Sequence, residues 1–114
     1  MPRNTPQRVA LHAVLRDGQV GVYREKHARV PDELAQLFSD AGIHEWDMWR
    51  SGRHVFHLVV CDNFEDAMAR ISASPINDRW MDYIGIHIDR FEGADSEGLT
   101  PSEPIWSLSA QKDR

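Results

Sequence analysis

A chain of 114 residues has room for one domain, since ~100–200 residues is the usual allotment. Its 41% hydrophobic and 27% charged residues are ordinary for a globular protein and exclude disordered and collagen-like chains. The longest apolar run, Val55 to Cys61, is broken by His57 and is far shorter than the ~20 residues of a membrane span.

The net charge of −5 leaves no basic face to release counterions, so neither nucleic acid nor an anionic membrane is an expected partner. A lone cysteine, Cys61, cannot staple a secreted miniprotein. Residues 1–5 precede no apolar stretch of the kind a signal peptide needs, so a cytoplasmic protein is expected.

Residues 1–7 and 109–114 read as loose tails of a single domain. Arg8 to Leu15 has the short apolar character of a buried strand. A helix is expected from Gln19 through His27, and another from Asp32 through Phe38 to Ala41. Pro31 forces a break near Ala28 to Val30, because it lacks an amide donor and restrains its predecessor. Gly42 closes the second helix.

Ile43 to Arg50 and Arg53 to Cys61 form a predicted hairpin around Ser51-Gly52. That turn would set Arg50 opposite Arg53 and Trp46 opposite His57. Asp62-Asn63 caps a helix over Phe64 to Ser72, and a further helical piece follows Pro75, carrying Arg79, Trp80 and Tyr83. Residues 92–104 read as loop, and Ile105 to Leu108 as a last strand.

The order is βαββαβ, an α+β, ferredoxin-like antiparallel sheet with helices on one face. The other face would carry Phe56, Leu58, Val60 and Trp49. Left wet it would be an apolar patch, so a homodimer packed sheet on sheet is expected.

Tyr23 and His27 stand four apart on one helical face, in a stripe continued by Val30, Leu34 and Leu37. An imidazole at the mouth of an apolar space can carry protons near neutrality; alternatively His27 merely ends the stripe and bonds to backbone. The four tryptophans divide similarly. Trp49 and Trp106 suit the core or an interface, whereas Trp46 and Trp80 could equally stack on a sugar or flat ligand.

The six histidines show no metal-ligand spacing. His54 and His57 point to opposite faces of a strand, and neither HExxH nor CxxC occurs. No metal and no organic cofactor is expected. Cys61 reads as an inert core thiol.

Val22–Leu34 (VYREKHARVPDEL), Gly42–Trp49 (GIHEWDMW) and Asn77–Tyr83 (NDRWMDY) resemble the L-rhamnose mutarotase family, and the resemblance runs from about Arg8 to Leu108. It implies a dimeric α+β barrel that interconverts the α and β anomers of a 6-deoxyhexose, most simply L-rhamnose, with neither metal nor cofactor. Its proton donor falls on His27 and its sugar contacts on Tyr23, Trp46, Trp80 and Met81. The chain departs from the family where Trp46 replaces the usual tyrosine, Val30 a tryptophan and Met81 the second of two tryptophans.

L-fucose or another aldose is the alternative substrate. The same barrel also hosts cofactor-free monooxygenases and haem-binding proteins, a different class of function. A second proton carrier would be Asp47, His57 or a water.

Overall fold

The computed structural model describes residues 5–92 and 99–112. The elements are β1 (Gln7–Leu15), α1 (Val20–Lys26), α2 (Asp32–Asp40), β2 (Ile43–Ser51), β3 (His54–Cys61), α3 (Phe64–Ser72), α4 (Pro75–Ile84), a 3-10 turn (Gly85–His87), β4 (Ile88–Glu92) and α5 (Leu108–Lys112). The four strands form one antiparallel sheet in the order β2-β3-β1-β4. This is the ferredoxin-like α+β arrangement.

Local chemistry sets the element ends. Pro31 starts α2 after the expected break. Asn63 caps α3 by accepting from the Asp66 amide, and Ser74 caps α4 by accepting from the Ile76 amide ahead of Pro75.

Three expectations need correction. The hairpin turns at Gly52-Arg53, so Ser51 pairs with His54 and Met48, not Trp46, lies opposite His57. Gly52 has φ +58°, and primed hairpin turns require positive φ at the first central position. The glycine therefore takes that place and moves the register by two residues. A two-residue move keeps every side chain on its face.

The last strand is not Ile105 to Leu108. The fourth strand is β4, which pairs with the second half of β1 from His12↔Glu92 to Leu15↔Ile88. Asp89, Arg90 and Glu92 make it look like loop, yet charges suit an edge strand. Residues 99–104 are irregular, as expected of the 92–104 loop, and residues 93–98 lie outside the described residues. Of the expected loose tails, Gln7 belongs to β1 and residues 109–112 to α5.

Side chains on the helix-covered face of the sheet form two apolar clusters. One joins Leu11, Ile43, Val59 and Cys61 to Phe64, Ala67 and Ile71, with Phe38 and Trp46 packed on it. The other joins Leu15 and Val55 to Tyr23 and Ile84, with Met48 and Trp80 against it. The outward face carries Phe56, Leu58 and Val60, with Trp49 opposite Phe56. Trp49 is 57% exposed and Phe56 41%.

Gly52→Ala should destabilise the chain by ~1–2 kcal/mol, because an L-residue pays that much at positive φ, while Ser51→Ala should change little. Urea unfolding of both variants checks where the turn lies.

Candidate active site

The seam between the two clusters holds the chemistry-bearing side chains. Tyr23 lies on α1 and His27 is its C-terminal cap, so one helical turn brings the two rings to 4.4 Å between centroids. Trp80 of α4 meets His27 edge-on, with centroids 5.2 Å apart. From the sheet come Trp46 of β2 and His57 of β3. Trp46 stacks on Phe38 of α2 at 5.1 Å.

Two hydrogen bonds settle which ring nitrogens carry protons. Nδ1 of His27 lies 3.0 Å from the Tyr23 carbonyl oxygen. A carbonyl only accepts, so Nδ1–H donates, and in the neutral ring Nε2 is left with its lone pair. Nε1 of Trp46 lies 2.9 Å from Nδ1 of His57. An indole N–H only donates, so His57 Nδ1 accepts, and the neutral ring carries its hydrogen on Nε2. The two imidazoles are held in opposite tautomers.

Burial reinforces this. Desolvation lowers the His27 pKa below its ordinary 6.5, opposed in part by the Tyr23 backbone bond. His57 is 7% exposed, and burial followed by the charge of His27 brings its pKa down to about 4. Both rings are therefore neutral at pH 7. Burial pushes Tyr23 up to about 12, so it stays a phenol.

A cavity of about 380 Å³ opens beside the seam, between α1, α2 and α4. Lys26, Arg79, Glu33 and Tyr83 line it, and Trp80 is the wall that it shares with His27. Arg79 is held by Glu33 at 3.2 Å. Lys26 Nζ donates to the Tyr83 carbonyl at 2.7 Å and sits 4.1 Å above that ring.

The structure brings Tyr23, His27 and Trp80 into contact and groups Trp46 with Phe38 and His57, but neither group includes Met81. That side chain is 36% exposed and turns toward Gly85, where a Cβ would lie 3.8 Å from its Cε. Asp47 is ruled out as a proton carrier for His27, since it pairs with Leu58 on the outward face. His44 bonds to Asp62 at 2.6 Å, and His12 to His54 at 2.9 Å on the outward face. Among the described residues no group of three or more His, Cys, Asp or Glu is placed to hold a metal ion. Cys61 is fully buried in the first cluster.

Phe38, which backs Trp46, escaped the sequence pattern, although its i+4 spacing from Leu34 could have found it. Trp106 does not enter the core; it is 66% exposed.

Residues 8–108 match the family model described as L-rhamnose mutarotase. The chain belongs to the L-rhamnose mutarotase family. A curated member from Phocaeicola vulgatus is 25% identical over 79 residues, covering 68% of this chain and 76% of that protein. The crystal structure of an L-rhamnose mutarotase from Formosa agariphila superposes with a TM-score of 0.70 at 20% identity, over 90% of this chain and 98% of that one. The tetracenomycin F2 cyclase of Streptomyces glaucescens shares the fold at a TM-score of 0.66 and 17% identity, over 90% and 96% of the two chains. Family membership points to an isomerase-type enzyme. Among the described residues no helix is long and apolar enough to cross a membrane.

The lowered histidines give a stability prediction. An unfolded His57 binds a proton near its ordinary value of 6.5, whereas the folded one waits until about 4. The unfolded state thus binds more protons in between, and stability falls as pH drops from about 6.5 to about 4. Urea unfolding at stepped pH should show a loss of ~2–3 kcal/mol, and a flat profile would contradict a neutral, buried His57.

Proposed function

We propose that the chain is a mutarotase that interconverts the α and β anomers of L-rhamnose by acid–base ring opening, with His27 moving the proton. The observation that carries this reading is the tautomer of His27, whose Nδ1–H is tied to the Tyr23 carbonyl. Nε2 is the nitrogen left to exchange protons with a ligand.

In the neutral ring, Nε2 takes the proton of the anomeric hydroxyl. C1=O forms as the C1–O bond to the ring oxygen breaks, and the electron pair stays on that oxygen. The imidazolium then gives its proton to the ring oxygen, so His27 is the proton donor in the ring-opening step. Rotation about C1–C2 and the reverse transfers yield the other anomer. Both oxygens belong to one carbon, so one imidazole serves both. An acid–base group contributes ~10²–10⁴-fold, and the protein needs neither metal nor cofactor for this sequence.

Tyr23 orients a sugar hydroxyl through its phenol, while Trp46 and Trp80 offer aromatic walls to the ring's C–H faces. Met81 stands where the family carries its second tryptophan, and from its exposed position on α4 it contributes at most to the rim. L-fucose and other 6-deoxy aldoses are the alternative substrates.

The working unit is a cytoplasmic homodimer packed through the outward sheet face. Support comes from the exposed Trp49 and Phe56 and from the arm beyond Ser102. Every described residue of that arm is exposed, Ile105 by 88% and Trp106 by 66%. Apolar patches of this kind mark interaction sites.

His27→Asn should keep the fold and lose at least a hundredfold in anomer exchange, read by saturation-transfer NMR on L-rhamnose, L-fucose and common aldoses; unchanged exchange would end this assignment. Wild-type exchange should fall as pH drops through the lowered His27 value, because protonation removes the Nε2 lone pair. Trp80→Ala should raise KM more than it lowers kcat. For the dimer, sedimentation equilibrium should give twice the chain mass, with Trp49→Ser plus Phe56→Ser shifting it toward monomer.

A further inference from the structure

His57 is a buried titratable side chain that the shuttle above does not use. It lies on the helix-covered face between Val55 and Val59 of β3, near enough to His27 for the two charges to interact, and its ring meets Trp46 edge-on with centroids 5.9 Å apart. Its Nδ1 is occupied by the Trp46 indole N–H. Among the described residues Nε2 has no hydrogen-bond partner, yet it is not sealed off as the orphaned Nε2 of His87 is. A ring 7% exposed whose remaining N–H has no partner leaves one donor for whatever enters the seam.

We propose that His57 is a fixed hydrogen-bond donor to the ring oxygen of the bound pyranose, locked into its Nε2–H tautomer by Trp46 and stabilising the negative charge that oxygen acquires as C1–O breaks. The inference rests on the mutarotase reading and assigns a further residue to its site. His57 keeps its proton throughout. The anomeric proton moves to His27 Nε2, the breaking bond leaves its electron pair on the ring oxygen, and that oxygen is protonated from the His27 imidazolium. A preorganised donor aimed at developing charge in a site shielded from water lowers the barrier, not merely the binding energy.

The pairing also suits this chain's own aromatic position. An indole can only donate, so Trp46 dictates the tautomer of its partner, whereas a phenol could donate or accept and would leave the imidazole free to choose.

Two measurements test it, one of them independent of activity. The ¹⁵N chemical shifts of the His57 ring should show a bare Nδ1 and a protonated Nε2 from pH 6 to 8; a protonated Nδ1 overturns the proposal whether or not the chain turns over sugar. In anomer exchange, His57→Leu should lower kcat at least tenfold with KM little changed and the pH profile unmoved. His57→Gln, whose amide supplies an N–H, should recover much of that loss.

A His57→Leu variant that folds and exchanges as fast as the wild type overturns this role and leaves the His27 assignment standing. A shifted pH limb would make His57 a proton carrier and equally overturn it. If the wild type exchanges no aldose at all, the mutarotase reading fails with it.

Discussion

The hydrogen bond from His27 Nδ1 to the Tyr23 carbonyl is the constraint on which the site depends. It spans one turn of a short helix and uses a carbonyl that also accepts from the His27 backbone amide. The bond fixes ring orientation and tautomer together. It also favours the charged ring slightly, against the larger effect of burial. The result is an imidazole that is neutral near pH 7 with one lone pair committed to whatever enters the seam.

Packing supplies the rest. The seam exists because the helix-covered face of the sheet is filled by two clusters, and His57 lies between their side chains on β3. Phe38 holds Trp46, Trp46 holds His57, and Tyr23 and Trp80 frame His27. The contacts pass from α2 through β2 to His57. The residues proposed to meet the sugar thus hold one another in place, with Phe38 as backing behind Trp46, as a preorganised site requires.

Much of this was legible from residue order. The Tyr23–His27 spacing, the Pro31 break, the Asn63 cap and the apolar runs of β1 and β3 are local signals, and local signals survive folding. The hairpin register was not legible, because Ser51-Gly52 and Gly52-Arg53 compete as turns and the backbone dihedral of Gly52 decides. Ile88–Glu92 was missed since an edge strand tolerates the charges that imitate a loop, while Ile105 to Leu108 has apolar strand composition but is exposed in the isolated chain. His57 could be noticed as a histidine in a strand. Its tautomer could not, because that depends on an indole eleven residues away across the hairpin.

The most direct measurement of the central claim is a ¹⁵N titration of the His27 ring followed alongside anomer exchange on the same sample. At pH 7 the account requires a protonated Nδ1, a bare Nε2 and a midpoint below 6.5, with the exchange rate lost over that same titration. A ring protonated on Nε2 in its neutral form, or a midpoint above neutrality with exchange indifferent to it, would contradict the account.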